Sequence, residues 1–376
     1  MARFFFYGTL CHEPLLHRVL GRAVPGQPAV LADHAVSWAK DGPYPTIHAQ
    51  AGAVVDGLLV DGLTGADVAR LDFYEGGFRY STHEVQVHVA GRDVSARVYF
   101  SDAADAGAVS GAGADWSLSD WVARFGDAAL ATAGDFMALM GQVPAATVAS
   151  RYGAMLVRGA SAVRAAQPPV TTLRLVAGPD DVQVAARRLP YAKFFAVEEW
   201  QVAWRQFDGA MNTAVERAVF VSCDAVTVLP YDPVRDRVLL IEQFRAGPMA
   251  RGDAATWQLE AIAGRIDAGE TPEQAGRREA VEEAGLTLGA LLPVAQYYPS
   301  PGIMTEYLYS YVGLADLPDG IAGVFGQAEE AEDIRGHLIS FERMMELVAS
   351  GEIANSPLIL TALWLQRERG RLRTGG

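Results

Sequence analysis

Short apolar runs separated by turn residues fill the first hundred positions, which is the pattern of strands in a compact α+β domain. Gly8 follows the first run, Gly21 follows the second, and Gly91 joins the last two runs as a hairpin. Apolar residues at helical spacing over 64–71 predict a helix between the strands. We therefore predict a small barrel or strongly curved sheet, with strands at Arg3–Tyr7, Val54–Val60, Glu84–Val89 and Val94–Phe100 and a short helix at Cys11–Leu20.

The middle of the chain changes to small residues and then to helical spacing. Residues 103–115 are rich in Ala, Gly, Asp and Ser, which is typical of a flexible connection. Helices are predicted over Ser117–Met140 and Thr147–Ala165, and a Pro-Pro pair at 168–169 marks a boundary. The sequence thus predicts a first domain at 1–102, a flexible and helical spacer at 103–168, and a second domain at 169–376.

The second domain mixes strand patterns with helix patterns and contains no internal repeat. One helix is predicted to begin at Thr271, and two more are predicted at Phe341–Ser350 and Ser356–Arg369. The predicted strands are Thr171–Val176, Lys193–Phe207, Arg217–Leu229, Arg237–Glu242, Gln296–Tyr298, Tyr307–Leu314 and Arg335–Ser340.

One predicted helix has marked ends. Thr271 is a hydroxyl residue at the N-cap position, Pro272 follows at the first helical position, and Glu273 supplies an acid in the first turn. Gly285 is suited to end the helix in a left-handed conformation. We predict a helix between these two signals.

Three carboxylates share one face of this helix, because Glu279, Glu282 and Glu283 stand at i, i+3 and i+4. Close carboxylates repel one another, and a divalent cation relieves that repulsion. Hard oxygen ligands suit Mg²⁺ or Mn²⁺. The alternative is a solvated acidic face balanced by Arg277 and Arg278.

Composition narrows the classes of function. The net charge of −14 argues against nucleic-acid binding and against an anionic membrane surface. Two distant cysteines, Cys11 and Cys223, exclude a disulfide framework and suit a reducing cytoplasm. No apolar stretch approaches the roughly 18 residues of a membrane span. The seven histidines show no metal-ligand spacing. We expect a cytoplasmic protein without nucleic-acid or membrane partners.

The segment Gly264–Leu286, GRIDAGETPEQAGRREAVEEAGL, fits the pattern G-x5-E-x7-R-E-U-x-E-E-x-G-U at every fixed position. It resembles the signature of the Nudix hydrolases. The surrounding text, including WQLEAIAGRIDAGE and SPGIMTE, is similar to the ADP-ribose pyrophosphatase branch, which includes tellurite-resistance-associated proteins. Pro301, 15 residues after Leu286, matches a marker of ADP-ribose specificity. The resemblance implies an α/β/α sandwich with a mixed sheet that hydrolyses ADP-ribose to AMP and ribose 5-phosphate with Mg²⁺.

Two alternatives to this activity stay open. Ile303 stands where this branch commonly has Gly, and a GDP-mannose-cleaving branch carries similar text, so another nucleotide sugar is an alternative substrate. A non-catalytic ADP-ribose-binding regulator built on the same fold is the second alternative, although such a protein is expected to lose motif carboxylates.

The resemblance also implies roles for residues of the motif. Glu279 and Glu283 correspond to metal ligands, with Glu282 between them and the backbone carbonyl of Ala263 as a further ligand. Arg278 corresponds to the residue that orients the glutamates.

Other implied roles lie outside the motif helix. Arg245 and Glu260 match substrate-contacting positions, and Arg217 is expected to reach the substrate of the neighbouring subunit in a homodimer formed through this domain. Glu330 or Glu332 matches the carboxylate that activates the attacking water. A surface ion pair is the alternative for each of these residues taken singly.

The N-terminal text FFFYGTL, GPYPTI and LDFYEG, followed by a tyrosine and the strand RVYF, resembles the γ-glutamylcyclotransferase-like family, which contains the AIG2-like proteins. The resemblance implies a small mixed β-barrel and, with the second domain, an α+β two-domain chain.

In that family a loop corresponding to Tyr7, Gly8, Thr9 and Leu10 binds the γ-glutamyl group through backbone amides. Glu75 matches the general acid/base for cyclisation to 5-oxoproline. The alternatives are a turn-capping role for Glu75 and a degenerate binding or docking module.

Overall fold

The computed structural model describes residues 1–39, 42–101, 114–168, 171–327 and 332–374. These residues divide into two units, Met1–Thr172 and Leu173–Gly376. None of the described helices combines the length and the apolar composition needed to cross a membrane.

Five strands of the first unit form a closed barrel. They are β1 (Ala2–Phe6), β2 (Gly26–Trp38), β3 (Pro45–Leu63), β4 (Tyr80–Val89) and β5 (Arg92–Ser101). The long strand β3 pairs antiparallel with β1 and β2, and a parallel pairing of β1 with β5 completes the barrel. Aliphatic and aromatic side chains fill its interior. The predicted small mixed barrel is confirmed.

Helices pack around this barrel in the first unit. They are α1 (Glu13–Leu20), α2 (Gly65–Gly76), α3 (Leu118–Trp121), α4 (Asp127–Ala138), α5 (Ala145–Ala149) and α6 (Tyr152–Ala165), and a π-helical turn at Val122–Gly126 joins α3 to α4. The ring of Phe136 in α4 is fully buried and contacts Phe73 and Tyr74 of α2. Helices α3 to α6 therefore lie within the first unit, which differs from the predicted separate spacer over 103–168. Residues 102–113 lie outside the described residues.

A mixed eight-stranded sheet forms the centre of the second unit. Its strands are β9 (Ala225–Asp232), β10 (Arg237–Phe244), β11 (Trp257–Glu260), β12 (Ile262–Arg265), β13 (Leu291–Tyr297), β14 (Leu308–Leu314), β15 (Val324–Phe325) and β16 (Ile334–Ser340). A separate three-stranded sheet contains β6 (Val182–Ala192), β7 (Ala196–Trp204) and β8 (Val215–Val221). The helices are α7 (Ala246–Arg251), α8 (Pro272–Ala284), α9 (Phe341–Ser350) and α10 (Ser356–Thr374).

Two apolar cores cover the two faces of the large sheet. Helix α8 packs its alanines against one face, while α9 and α10 pack against the other. Adjacent residues of β10 serve different cores, since Ile241 belongs to the first and Leu240 to the second. This alternation is that of a sheet buried on both sides. It confirms the predicted α/β/α sandwich with a mixed sheet.

The prediction of a strand at Thr171–Val176 was wrong, because described residues 171–178 form no strand. Its apolar side chains have no sheet to cover them, and Leu173 is 96% exposed. The predicted strand Lys193–Phe207 is one half of a hairpin that begins at Val182. The predicted strand Arg217–Leu229 is divided at 222–224, where Ser222 bonds to Thr305 through both its backbone groups.

Candidate active sites

Helix α8 begins and ends at the residues that its sequence predicts. Thr271 and Gln274 form a reciprocal capping box, in which each side chain accepts the backbone N–H of the other residue. Gly285 ends the helix with φ of 63°, a left-handed conformation that glycine adopts without strain. These caps fix which helical face is presented to the neighbouring strand β12.

Arg278 is the centre of an ion-pair network around this helix. Its guanidinium donates to both carboxylate oxygens of Glu270 at 3.0 and 3.1 Å and to the carbonyl of Arg265 at 3.0 Å. It also donates to Glu279 at 2.7 Å and to Glu282 at 3.0 Å. The network joins the loop before the helix, the end of β12 and the acidic face. Arg278 therefore contacts both Glu279 and Glu282, and its role in orienting them stays a prediction.

Glu283 is the most deeply buried carboxylate of the cluster. Its side chain accepts the backbone N–H of Ala263 at 2.9 Å, and the residue is 2% exposed. Burial raises the pKa of Glu283 to about 8, although the Ala263 amide acts in the opposite direction. Glu279 is nearby, and its charge disfavours ionisation further. A cation placed here would stabilise the carboxylate form.

Glu279 lies against the backbone of the strand facing it. A Cβ built on Gly264 would stand 1.8 Å from a Glu279 carboxylate oxygen, so any larger residue here would force the end of this side chain to move. Burial raises the pKa of Glu279 even though Arg278 donates to it. The first glycine of the motif thus permits the close approach of a metal-ligand candidate to β12.

The chemistry of this donor set fits a hard divalent cation, since the desolvated carboxylates of Glu279 and Glu283 lie together on α8 against β12. No group of three His, Cys, Asp or Glu side chains within the described ranges is already arranged to hold a metal ion. The reason is local: Arg278 holds Glu279 and Glu282, and the Ala263 amide holds Glu283. Metal binding would have to compete with these bonds for the carboxylates.

Arg245 and Glu260 form an ion pair next to this cluster. Two nitrogens of Arg245 donate to one oxygen of Glu260 at 2.9 and 2.7 Å. Burial lowers the pKa of Arg245, but the Glu260 bond outweighs that effect and leaves the guanidinium firmly charged. Its positive charge is felt at Glu283 and at Glu306. The structure therefore brings Arg245 and Glu260 to the carboxylate cluster.

Glu306 was missing from the candidate residues. Burial raises the pKa of this carboxyl, and Arg245 counteracts the shift. The segment SPGIMTE ends on this glutamate, which was the available signal. Its proximity to Arg245 depends on the fold and could not be predicted from that segment.

The loop after β15 brings Glu332 toward the cluster. Glu332 exchanges backbone and side-chain bonds with Gln327, and its charge raises the pKa of both Glu279 and Glu283. Glu330, the other candidate for activating water, lies outside the described residues.

Two predicted substrate residues are not joined to the cluster by any bond among the described residues of one chain. Arg217 lies on β8, with its guanidinium 5.4 Å from the ring centroid of Trp204 and a bond to the carbonyl of Glu216. Pro301 is exposed on a turn that connects to β8 through Phe220 and Ile303.

The N-terminal candidates line an aromatic cavity at the end of the barrel. Tyr7, Gly8, Thr9 and Leu10 leave β1 and turn across its mouth, and Glu75 faces the same cavity from α2. A Cβ on Gly8 would approach a Pro45 carbon to 2.6 Å, so glycine permits the close passage of this loop. The structure thus brings all five predicted residues together.

Glu75 is a carboxyl group in apolar surroundings. Burial raises its pKa to about 7. No hydrogen bond or ion pair to its carboxylate occurs among the described residues. A group with this pKa both accepts and donates a proton near neutrality, as a general acid/base must.

Two family models match the chain. The model described as NUDIX domain matches residues 222–359, and the model described as gamma-glutamyl cyclotransferase, AIG2-like, matches residues 4–118. The ADP-ribose pyrophosphatase of Escherichia coli (strain K12) is 38% identical over 196 residues, which cover 52% of this chain and 93% of that protein. The chain belongs to the Nudix family. Nudix hydrolases generally use a divalent metal ion.

Two other curated relatives also match the Nudix half. The ADP-ribose pyrophosphatase of Haemophilus influenzae is 31% identical over 51% of this chain and 89% of that protein. The GDP-mannose pyrophosphatase of Salmonella paratyphi B is 32% identical over 40% of this chain and 78% of its own length. These relatives confirm the Nudix hydrolase class, and both named activities occur among proteins similar to this one.

We predict that Gly264→Ala lowers hydrolysis by the Nudix domain by at least about 100-fold, the cost of a displacement near 1 Å in an active site. The added methyl group would displace the Glu279 carboxylate from β12. Gly370→Ala is the control, because a Cβ at Gly370 in α10 meets nothing within 4 Å. Turnover of both purified variants is measured against the unaltered chain. Equal rates for Gly264→Ala and Gly370→Ala would contradict the account of Glu279.

Proposed function

We propose that the Nudix domain hydrolyses ADP-ribose to AMP and ribose 5-phosphate, with Mg²⁺ as its cation and Mn²⁺ as a substitute. The observation that carries the proposal is the pair of desolvated carboxylates, Glu279 and Glu283, held against β12 beside the Arg245–Glu260 pair. A second support is the sequence identity of 38% and 31% to two ADP-ribose pyrophosphatases, over 93% and 89% of their lengths.

The proposed roles follow from the chemistry of each side chain. Glu279, Glu282, Glu283 and the Ala263 carbonyl would hold the cation, whose contribution there is to neutralise the charge of the diphosphate. Arg278 fixes the direction of these carboxylates.

Residues outside the motif bind the substrate and move its proton. Arg245 grips a phosphate through its planar guanidinium, and Glu260 holds that guanidinium in place. Glu332, or Glu330 on the same loop, accepts the proton of the attacking water. Pro301 belongs to the loop proposed to set preference for ADP-ribose.

Cleavage of GDP-mannose or another nucleotide sugar is the second candidate, favoured by the similarity to GDP-mannose pyrophosphatases. A panel of nucleoside diphosphate sugars under equal conditions separates the candidates by kcat/KM. A regulator that binds ADP-ribose without turnover is less favoured, because all the carboxylates of the motif are retained. Binding without release of AMP would support the regulator.

We predict that the purified chain releases AMP from ADP-ribose in Mg²⁺ and that Glu283→Gln lowers this rate by at least about 100-fold. The amide keeps the shape of the side chain but removes one negative charge from the proposed metal site. Glu346→Gln is the control, since Glu346 lies on the exposed surface of α9. An absence of AMP above an EDTA blank would contradict the proposed activity, and a near-normal rate in Glu283→Gln would exclude Glu283 from the metal site.

We also propose a homodimer formed through the Nudix domain. The three-stranded sheet leaves unusually large apolar side chains in solvent, including Val184 at 53%, Tyr191 at 49% and Phe194 at 57% exposure. An uncovered patch of this kind is typical of a subunit interface. Arg217 lies on the same sheet, and its proposed role is to reach the partner's substrate.

Cys11 and Cys223 are free thiols, which supports a cytoplasmic location.

We predict that the chain, of 40.3 kDa, sediments as a dimer at micromolar concentration and that Val184→Arg shifts it toward monomer. A charge on β6 would be desolvated in the interface. Val234→Arg is the control, because Val234 is 83% exposed on the turn between β9 and β10. Sedimentation of the unaltered chain as a monomer would remove the dimer and with it the proposed role of Arg217.

For the N-terminal unit we propose a γ-glutamyl cyclotransferase activity. The observation that favours it is the convergence of the Tyr7–Leu10 loop and Glu75 on one cavity. The loop amides are proposed to bind the γ-glutamyl group, and Glu75 is proposed to move the proton during ring closure. The domain acting only as a binding module is the alternative.

We predict that this activity depends on ionised Glu75. With a pKa of about 7, its kcat/KM should fall as the pH drops below 7, and Glu75→Gln should abolish turnover at every pH. A second readout follows from linkage: a carboxyl whose pKa is raised by folding stabilises the unit less as pH rises from about 4.5 to about 7. Thermal unfolding of Glu75→Gln should lose that decline, and an unchanged decline would contradict the burial of Glu75. Hydrolysis by the Nudix domain is the internal control and should be unaffected.

A further inference from the structure

One wall of the N-terminal cavity comes from helices that follow the barrel. The family model for this domain ends at residue 118. The cavity is nevertheless lined by Trp121, Phe125, Ala129, Tyr152 and Leu156, all of which lie beyond that point. We call these five residues the extension wall. They lie outside the part of the chain that the family model matches.

The extension wall is bonded to the part of the cavity that lies within the family-model match. The indole N–H of Trp121 donates to the carbonyl of Pro43 at 2.7 Å, and Pro43 itself lines the cavity. The side chains of Tyr152 and Tyr74 are hydrogen-bonded to each other, and Tyr74 directly precedes Glu75 in the chain. Phe125 lies in the π-helical turn. This conformation is rare in proteins generally, but where it occurs it is often at a functional site. The wall is therefore part of the cavity's construction and not a loose cover.

The cavity is lined mainly by aromatic and aliphatic side chains, with tyrosine hydroxyls and Thr9 among its polar groups, and the single charged group among its described lining residues is Glu75. No Lys, Arg or His belongs to that described lining. Arg124 lies 4.8 Å from the ring centroid of Phe125, but it is exposed and is not a lining residue. A second negative charge on a ligand would meet no cation here and would be repelled by Glu75.

We propose that the extension wall is an amine-side specificity subsite that selects γ-glutamyl amides of uncharged, aromatic or large apolar amines. This proposal rests on the cyclotransferase activity proposed above. The γ-glutamyl end takes the Tyr7–Leu10 loop, and the leaving amine takes the space between Trp121 and Phe125. Aromatic rings pack there edge to face or offset against the side chains of the wall.

The reaction that such a substrate undergoes is balanced within the molecule. The α-amino nitrogen attacks the γ-carbonyl carbon and forms the ring amide of 5-oxoproline, while the bond from that carbon to the leaving nitrogen breaks. Glu75 takes one proton from the attacking nitrogen and returns one to the leaving nitrogen. The products are 5-oxoproline and a free amine, with no co-reactant.

Charge decides between this class and the γ-glutamyl peptides. The α-carboxylate of the glutamyl group is common to all these substrates. A γ-glutamyl amino acid adds a second carboxylate on the leaving side, and burying it against the extension wall without a cation is unfavourable. An amine without that carboxylate has no such penalty. The extension wall is thus expected to reject peptides and to accept simple amides of the same size.

The test compares substrates that differ in one group on the unaltered full chain. We expect kcat/KM for γ-glutamyl-phenethylamide to exceed that for γ-glutamyl-phenylalanine by at least about 10-fold. γ-Glutamyl-phenylalaninamide, in which the carboxylate is a neutral amide, should recover most of the difference. γ-Glutamyl-methylamide should be poorer than the phenethylamide, because it leaves the wall unfilled. Equal or better turnover of γ-glutamyl-phenylalanine would overturn the proposal.

A variant tests the wall itself. Phe125→Ala should lower kcat/KM for the phenethylamide by roughly 10-fold and change the methylamide little. Met137→Ala is the matched control, because Met137 is buried on α4 but is not among the described lining residues of the cavity. If Phe125→Ala does not fold, Phe125→Leu is used in its place, and we expect a smaller effect in the same direction. Equal losses for both amides in a folded Phe125 variant would contradict the subsite.

Absence of turnover for every γ-glutamyl compound would overturn the cyclotransferase activity but not the subsite. Calorimetric binding of the phenethylamide and of γ-glutamyl-phenylalanine then decides. Preference for the amide supports the extension wall as a ligand subsite in a binding module, and binding without preference, or no binding of either, overturns it.

Discussion

Desolvation of carboxylates is the constraint on which both candidate sites depend. A carboxylate removed from water favours its protonated form unless a cation or hydrogen-bond donors replace the lost hydration. In the Nudix domain, Arg278 supplies part of that replacement for Glu279 and Glu282, and it also ties the preceding loop to the end of β12. Glu283 receives only one backbone N–H, and its pKa is raised to about 8. The fold therefore leaves one carboxylate in need of a further positive charge, which is what a divalent cation provides.

Glu75 meets the same constraint without any donor. Its environment is aromatic, and burial alone raises its pKa to about 7. A carboxyl group in this state is suited to carrying a proton and poorly suited to holding a metal ion, because no other carboxylate is among the described residues that line its cavity. Similar burial thus leads to different chemistry in the two units, and the neighbouring charges decide which.

The sequence predicted the Nudix helix almost to the residue, because its limits are set by local interactions: the Thr271 cap and the left-handed Gly285. The resemblance also implied that Arg278 meets the glutamates of this helix, but its bonds to Glu270 and to the carbonyl of Arg265 were not predicted. The sequence did not predict β2 or β6, because the apolar run of β2 is as short as Ala29–Ala32 and the side chains of β6 are nearly all exposed. Nor did it place Glu306 beside Arg245, because that proximity depends on how distant loops meet.

The assignment of α3 to α6 illustrates a different limit. Helical spacing reports that one face of a helix is buried, but not which element covers it. The apolar residues of 117–165 were compatible with a spacer, yet Phe136 packs on α2 and Trp121 bonds to Pro43. Both candidate sites consequently draw all their named residues from a single unit, the carboxylate cluster from Leu173–Gly376 and the aromatic cavity from Met1–Thr172. Membership of a unit is thus set by long-range contacts such as that of Phe136 with Tyr74, which helical spacing does not encode.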